Sequence, residues 1–242
     1  MSLSLISVNI EWDKHLETVL PFLAEQQPDI LCVQEAFETT LPKLGEVTGL
    51  SNYRFAPLTL INGVPWGIAI FSRYPIRASR EHYYYGSRES VIEYQKDNEE
   101  KTKCYPVIAV DIDVPDASYR ILTVHFMWTP DGEADDFQRQ GLANLLPLLE
   151  QEQDFVLCGD FNAPRGGEIY QELAKRYKDN IPPEYKTSID VTLHRNGKTH
   201  AEHLSTKMVD QLFTTPNYET SDVALVSGVS DHMAVVATIQ KS

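Results

Sequence analysis

The chain has 242 residues, of which 42% are hydrophobic and 10% aromatic, proportions typical of a soluble protein with a sizeable core. Its 21 basic and 35 acidic side chains give a formal net charge of −14, which argues against a protein that binds nucleic acid mainly by neutralising many phosphates. A phosphate substrate stays open, because carboxylates gathered around a divalent cation would also make a chain acidic.

The sequence carries no signal for a membrane or for an oxidising compartment. No apolar stretch approaches the length of a membrane helix, and no basic region followed by a hydrophobic run marks the N-terminus. Cys32, Cys104 and Cys158 lack the close spacing of a disulfide framework or a zinc site, although they allow a single bridge. We therefore expect buried reduced thiols, no membrane insertion and a cytoplasmic location.

The first part of the chain alternates short apolar runs with amphipathic segments. Asp13 is expected to cap a helix whose apolar stripe includes Leu16 and Leu23 and which Pro28 ends. The other elements predicted here are strands at 3–10, 30–34 and 66–71 and a short helix at 40–50.

The second part of the chain contains most of the predicted strands. Residues 78–103 are polar and charged and predict strand fragments in a long loop, and residues 181–206 are predicted to be irregular. Helices are predicted at 135–151 and 168–177, and strands at 105–114, 119–125, 155–158, 209–214, 223–226 and 233–239. Because no repeat or linker is visible, residues 1–242 are predicted to form one domain, an α/β (α+β) sandwich.

Polar side chains recur where the predicted strands end. Asp160 and Asn162 follow a buried strand and pair a carboxylate, which can accept a proton, with an amide that can donate to an oxyanion. Any one such residue is more often a turn, a cap or a solvated residue than a catalytic one. Several in succession predict a crevice at one edge of the sheets, where such folds hold ligands. The set is Asn9, Glu35, His125, Asp160, Asn162, Asp210, Asp231 and His232.

Seven blocks around these residues resemble the endonuclease/exonuclease/phosphatase superfamily, which has the DNase I-like fold. One block alone, such as Gly-Asp-Phe-Asn, would be a weak match, but the blocks follow the family order across nearly the whole chain. The resemblance implies a four-layer sandwich of two central mixed β-sheets flanked by helices, a divalent cation and hydrolysis of phosphoester bonds. The blocks lie at 7–9, 33–36, 67–76, 123–125, 159–164, 208–213 and 230–232.

The resemblance also implies a metal site and an oriented histidine. Glu35 would be the principal ligand of Mg²⁺, or of Mn²⁺, with Asn9 and Asp231 supporting the same ion directly or through waters. Asp210 would orient His232 and stabilise its imidazolium form, which we expect if their two strands are neighbours.

The remaining matched residues would act on the phosphate and the attacking water. His125 would contact the scissile phosphate, and Asn162 would donate to a phosphate oxygen or hold the water. Asp160 would activate that water or protonate the leaving group. Whether Asp160 or His232 is the general base stays open.

Other side chains allow two interpretations. Arg73 and Trp128 are candidates for binding the substrate, as is Arg165, although Arg73 lies in a family block and could be structural. Trp12 and the three tyrosines at 83–85 either stack on a substrate at the cleft rim or lie in the core. His194, His200 and His203 fit a second metal site less well than a solvated loop.

The leading function is a nuclease-like phosphodiesterase that acts on a phosphate ester, including nucleic acid, with no protein partner evident. The alternative enzyme is a phosphatase or phospholipase that acts on a sugar, inositol or lipid phosphate, which the acidic composition favours. A noncatalytic binding protein on the same fold is the remote alternative, and its expected signature is a substituted Glu35, Asp160, Asn162 or His232. None of the four is substituted.

Overall fold

The computed structural model of the protein describes residues 1–98 and 102–242, which form two six-stranded β-sheets flanked by helices. The strands are β1 (Ser2–Asn9), β2 (Ile30–Phe37), β3 (Asn52–Ile61), β4 (Val64–Ser72), β5 (Ile76–Tyr85), β6 (Tyr105–Val114), β7 (Ala117–His125), β8 (Val156–Asp160), β9 (Lys178–Asp179), β10 (Asp210–Thr214), β11 (Tyr218–Val226) and β12 (Ala234–Lys241). The α-helices are α1 (Leu16–Gln26), α2 (Leu41–Thr48), α3 (Asp136–Glu152), α4 (Glu168–Ala174) and α5 (Gly197–Leu204).

Both sheets are mixed. The first sheet has the strand order β11-β12-β1-β2-β4-β3, and the second sheet has the order β5-β6-β7-β8-β10-β9. One parallel pair lies inside each sheet, β1 with β2 and β7 with β8, and the other neighbours are antiparallel. This architecture is the predicted sandwich of two mixed sheets.

The main apolar core lies between the two sheets. Cys32 of the first sheet and Cys158 of the second are fully buried in it, beside Leu157. The three cysteines are free and buried, as expected. A second core packs α1 and α2 on the outer face of the first sheet through Val19 and Leu44.

The topology gathers six strand ends at one edge of the molecule. The parallel pairs place the carboxyl ends of β1, β2, β7 and β8 there. Because β12 runs antiparallel to β1 and β10 antiparallel to β8, their beginnings lie at the same edge. The predicted site residues therefore come from four strand exits and two strand entries.

Several local predictions are wrong. Residues 76–85 form one continuous strand, β5, whose alternating exposure reflects its place at the edge of the second sheet. Strand β3 was not predicted, and helix α5 lies in the segment expected to be irregular. Asp13 does not cap α1, because its carboxylate accepts a hydrogen bond from Thr40 Oγ1 at 2.5 Å. Residues 99–101 of the predicted loop lie outside the described residues.

None of the helices that the described residues form combines the length and the apolar composition needed to cross a bilayer.

Candidate active site

Asn9, Glu35 and Asp160 form a carboxylate–amide cluster that joins the two sheets. Asn9 Nδ2 donates to Glu35 Oε1 at 3.2 Å and to Asp160 Oδ2 at 3.1 Å. Asn9 and Glu35 belong to the first sheet, whereas Asp160 ends β8 of the second. The three side chains, predicted separately from three strand ends, therefore meet.

Strand β2 bulges at Glu35, two residues before its end, so it continues past the predicted exit at this residue. The pairing of β2 with β4 shifts register between Val33 and Ala36, and Glu35 has a φ of 59°. A left-handed backbone costs a non-glycine residue about 1–2 kcal/mol, and bulges re-aim side chains next to active sites. The bulge turns the Glu35 carboxylate toward Asn9.

Strand β8 comes very close to β7 immediately before Asp160. Gly159 has a φ of 143°, and a Cβ atom there would lie 2.0 Å from the carbonyl oxygen of Val124. Glycine therefore permits the parallel pairing that sets His125 beside Asp160. His125 Nε2 lies 3.6 Å from Asp160 Oδ2 and 3.7 Å from Glu35 Oε1.

Asp210 and His232 contact each other directly. His232 Nδ1 lies 2.7 Å from Asp210 Oδ2, and His232 Nε2 lies 3.9 Å from Asp160 Oδ2. Asp210 opens β10 in the second sheet, while His232 precedes β12 in the first. The two strands are not neighbours in one sheet, so the condition named for this contact is not met, and the contact instead crosses between the sheets. With Nδ1 bound to the carboxylate, Nε2 is the nitrogen available to the cleft.

Asn162 is held in the turn after β8. Its backbone N–H donates to Asp160 Oδ1 at 2.8 Å, and its side-chain Nδ2 donates to the carbonyl oxygen of Phe126 at 2.9 Å. Its φ of 49° is left-handed, a conformation that asparagine tolerates better than most residues. Because the amide nitrogen carries two N–H donors, one bond fixes the side chain and leaves a second donor.

The protonation states differ sharply between neighbouring groups. Burial is the main cause that raises the pKa of Asp160 from 3.8 to about 7. Burial lowers the pKa of His125 well below 6.5, so this ring is neutral at neutral pH. Burial would also lower the pKa of His232, but Asp210 and Asp160 outweigh it and raise that pKa well above 6.5. Divergent pKa values of this kind are typical of catalytic groups.

Glu35 and Asp231 offer carboxylate oxygens that suit a hard divalent cation, whereas Asn9 Oδ1 accepts a hydrogen bond from the Glu11 N–H at 3.0 Å and Asn9 Nδ2 faces Glu35. Burial and then the Asp231 charge raise the pKa of Glu35, and burial together with the Glu11 charge raises that of Asp231. A divalent cation would relieve this repulsion between buried carboxylates, and Mg²⁺ and Mn²⁺ both prefer oxygen ligands. Two other groups have ligand atoms within 4.8 Å of one another: Glu11 with His15 and Asp231, and Asp160 with Asp210 and His232.

The cleft around these groups has a volume of about 740 Å³. Trp128 lines it and is 55% exposed, as expected of a residue that meets a substrate. Trp12 also lines it, and packs edge-on against Phe37 and Trp66.

Arg73 is not part of the cleft. It follows β4, which runs antiparallel to β2, and therefore lies at the opposite edge of the first sheet from Glu35. There it binds Asp29 Oδ1 at 3.0 Å and the carbonyl oxygen of Pro28 at 2.9 Å. The predicted contact of Arg73 with the substrate is therefore wrong, and the contacts of this side chain are structural.

Arg165 and the tyrosines at 83–85 also have structural contacts. Arg165 binds the Asp179 carboxylate at 2.8 Å and the carbonyl oxygen of Ile181 at 2.8 Å. Tyr84 is buried and stacks on Phe126 in the core. None of these side chains lines the cleft that the described residues form.

One side of the cleft is basic, and no pattern in the sequence predicts it. The segment expected to be a solvated loop is partly helical, although His200 and His203 are exposed as expected, and all three histidines of this segment line the cleft. They lie on α5 and on the turn before it, where no periodic pattern marks them. We call this surface the basic wall, and its residues are His194, Arg195, His200, His203 and Lys207.

The sequence and the fold both match known proteins. The sequence model of the endonuclease/exonuclease/phosphatase family matches residues 6–232. No curated protein sequence matches the chain.

Three solved structures with a similar fold align with nearly the whole chain. An endonuclease/exonuclease/phosphatase from Bacteroides vulgatus has a TM-score of 0.72 at 16% identity, covering 100% of both chains. A family protein from Leptotrichia buccalis C-1013-b has a TM-score of 0.71 at 17% identity, covering 98% of this chain and 99% of the other. The human Nocturnin catalytic domain with bound sulfate anion has a TM-score of 0.71 at 19% identity, covering 100% of this chain and 94% of the other. These likenesses show the fold, and because the family match spans most of the sequence, the chain belongs to the endonuclease/exonuclease/phosphatase family.

Proposed function

We propose that this protein is a divalent-metal-dependent phosphoester hydrolase, of the nuclease-like phosphodiesterase type. The observation that carries the proposal is the position of Asp160 between Asn9 on one side and the Asp210–His232 pair on the other. Asp160 accepts a hydrogen bond from Asn9 at 3.1 Å and lies 3.9 Å from the nitrogen of His232 that Asp210 leaves available. Hydrolysis of a phosphoester needs these two functions side by side, a cation site and groups that move a proton.

Glu35 would hold the cation, with Asn9 and Asp231 supporting it. When bound, the cation would neutralise charge on the nonbridging oxygens of the phosphate. Asn9 also donates to Glu35 and Asp160, which keeps both carboxylates facing the same space.

Asp160 would accept a proton from the attacking water, because its pKa of about 7 suits a general base at neutral pH. His232, held as an imidazolium by Asp210, would donate from Nε2 to a phosphate oxygen. His125 is neutral, and its Nε2 would contact the same phosphate. Asn162 would supply its second amide N–H to a phosphate oxygen. In this proposal Asp160, rather than His232, is the general base.

A phosphatase that acts on a compact phosphorylated molecule is the second candidate. The cleft volume of about 740 Å³ is that of a site for one small ligand. The net charge of −14 would repel a long nucleic acid outside the cleft. The Nocturnin domain, with its bound sulfate anion, supports a tetrahedral anion as a ligand of this fold.

A substrate screen tests the proposal. Purified protein with Mg²⁺ or Mn²⁺ would be assayed against bis-p-nitrophenyl phosphate, p-nitrophenyl phosphate, single-stranded DNA, RNA, inositol phosphates and sphingomyelin. We expect hydrolysis of at least one phosphodiester that stops with EDTA and is absent from a His232→Ala preparation. Monoester hydrolysis alone would favour the second candidate. No hydrolysis in any assay, or equal hydrolysis by the His232→Ala preparation, would contradict a catalytic function.

A further inference from the structure

The basic wall is anchored beside the reaction centre but has no role in the chemistry proposed above. Ile189 pairs with His232 in an antiparallel bridge, and Asp190 N–H donates to the carbonyl oxygen of Asp231 at 2.8 Å. The segment that leads into the wall is therefore hydrogen-bonded to two site residues. The Asp190 carboxylate fixes the next turn by accepting from the N–H groups of Thr192 at 2.9 Å and Gly228 at 2.6 Å.

The turn that carries Arg195 is tightly packed at its end. Gly197 lies against Val191, whose carbonyl oxygen would be 1.7 Å from a Cβ atom at position 197. Gly197 N–H also donates to the carbonyl oxygen of His194 at 2.8 Å. Close packing and paired backbone groups give His194 and Arg195 a defined position rather than that of a solvated loop.

The charge of the cleft departs from that of the whole chain. Among the described residues, the lining includes five of the 21 Lys and Arg side chains but only five of the 35 Asp and Glu side chains. Four of those five acids, Glu11, Glu35, Asp160 and Asp231, belong to the reaction centre or its neighbouring cluster. The fifth, Asp131, binds His203 at 3.3 Å.

Three side chains of the wall offer donors to an anion. Arg195 is exposed, and none of the described carboxylates lies within 4.0 Å of its guanidinium. His194 Nδ1 accepts a hydrogen bond from the N–H of Asn196 at 3.1 Å. The proton of the neutral ring is therefore on Nε2, which makes that nitrogen a donor. Lys207 adds a second cation, positioned by its bond to the carbonyl oxygen of Asp131 at 2.5 Å.

We propose that Arg195, Lys207 and His194 form a second phosphate-binding subsite and that the substrate is a cleft-sized phosphate ester carrying a phosphate group besides the scissile one. This proposal rests on the proposed function for the scissile phosphate. Arginine and lysine bind phosphate through charge-assisted hydrogen bonds. Their location inside a cleft of about 740 Å³, in a chain whose net charge of −14 lies largely outside that cleft, favours a compact bisphosphorylated molecule over a long polyanion.

Two substrates with the same scissile bond distinguish an effect on this subsite from an effect on the hydrolysis itself. They are thymidine 5′-(p-nitrophenyl phosphate) with a free 3′-hydroxyl and the same compound with a 3′-phosphate. The value of kcat/KM for each would be measured with Mg²⁺ for the wild type, Arg195→Ala and Lys207→Ala. Lys198→Ala is the matched control, because Lys198 is an exposed cation of α5 that does not line the cleft.

We expect the wild type to prefer the 3′-phosphorylated compound about tenfold or more. Arg195→Ala should bring that ratio close to one, Lys207→Ala should lower it, and Lys198→Ala should keep it. A wild-type ratio near one, or a ratio that Arg195→Ala and Lys198→Ala both retain, would overturn the subsite while leaving the hydrolase proposal intact.

If the wild type hydrolyses neither compound, the substrate screen above decides the hydrolase proposal, and calorimetry decides the subsite. Thymidine 3′,5′-bisphosphate should then bind about tenfold more tightly than thymidine 5′-phosphate, and Arg195→Ala should remove the difference. Equal affinities in the wild type would overturn the subsite.

Discussion

At the scale of single residues, the site depends on how neighbouring groups set each other's charge. Asp160 is buried and His232 is partly buried; burial raises the pKa of the Asp160 carboxyl to about 7, whereas neighbouring carboxylates outweigh burial and raise the pKa of the His232 imidazole well above 6.5. The pKa of His232 rises, although burial would lower it, because Asp210 binds the ring at 2.7 Å. The proposed base and the proposed cationic donor therefore lie 3.9 Å apart.

The role of Glu35 predicts a metal-dependent phenotype. Glu35→Gln keeps the size of the side chain but removes the charge that would hold the cation. We expect Mg²⁺ affinity, measured by calorimetry, to fall about tenfold or more and hydrolysis to need correspondingly more Mg²⁺. Unchanged Mg²⁺ affinity in the variant, with the wild-type fold retained by circular dichroism, would remove Glu35 from this role.

The contact between Asp210 and His232 predicts losses that do not add. Asp210→Asn, His232→Ala and the double variant should each lose about a hundredfold or more in kcat, because each change disables the same unit. Steady-state kinetics on one phosphodiester would compare them. A double-variant loss equal to the product of the two single losses would show that the residues act independently.

A site residue could be predicted from the sequence when it lies at the end of an apolar strand. Asn9, Glu35, His125 and Asp160 follow apolar strands, so their positions could be predicted from the pattern of strand ends. Arg195 and Lys207 flank helix α5 in a segment without periodicity, so their place in the cleft follows from tertiary packing alone.

At the scale of elements, the site is fixed where strands approach each other closely. Gly159 lets β8 pair with β7 up to His125 and Asp160. The two sheets are then joined by side chains, since Asn9 reaches Asp160 and His232 reaches Asp210. A change in the β7–β8 spacing would therefore displace catalytic groups from both sheets.

Gly159→Ala tests this close approach. The new Cβ would lie 2.0 Å from the carbonyl oxygen of Val124, and the φ of 143° adds strain. We expect the free energy of unfolding, measured with urea, to fall by several times the ~1–2 kcal/mol cost of a left-handed alanine. Gly49→Ala is the control, because Gly49 has a φ of 68° with nothing within 4 Å of its Cβ position. Equal losses in the two variants would show that the β7–β8 contact can relax.

Away from the site, an ion network ties three strands to α3. Asp111 of β6 binds Arg80 of β5 at 3.0 Å and Arg120 of β7 at 2.6 Å, and Arg80 also binds Glu152 of α3 at 2.7 Å. Burial opposes the charged form of Asp111, but the two arginines outweigh it and lower its pKa from 3.8 to about 2.

The depressed pKa of Asp111 predicts a pH-dependent stability. Because the folded pKa lies below the unfolded one, the contribution is complete above about pH 4 and is lost as pH falls toward about 2. Asp111→Asn should cost about 2 kcal/mol of unfolding free energy at pH 7, and the gap from the wild type should close over that acid range. Urea unfolding at several pH values measures it. The exposed neighbour variant Asp113→Asn should cost about 0.5 kcal/mol or less, and a gap for Asp111→Asn that persists at pH 2 would contradict the linkage.

The order of elements was easier to predict than their bounds. Apolar runs such as that of β8 predict buried strands wherever they occur. Strand β5 carries charged and aromatic residues because it lies at a sheet edge, so its residues 76–85 resemble a loop in composition. The pairing of β5 with β6 defines it, and that pairing is a tertiary property.

At the scale of the whole molecule, two sheets pack against each other across a common core and share a cleft at one end. The first sheet and the turn before β12 supply Asn9, Glu35 and His232, and the second sheet supplies Asp160 and Asp210. Neither sheet alone contains both the proposed cation ligands and the proposed proton-transfer groups. The net charge of −14 lies largely outside the cleft, which concentrates the attraction for an anionic substrate at the site.

The kcat of Asp160→Asn is the measurement that tests this account most directly, because Asp160 is the residue at which the contributions of the two sheets meet. Asparagine keeps the shape of the side chain but cannot accept a proton from water. With Mg²⁺ present and the variant shown to be folded by thermal unfolding, we predict that hydrolysis of bis-p-nitrophenyl phosphate falls about a hundredfold or more in kcat. A kcat equal to that of the wild type would contradict the assignment of this cleft as the active site.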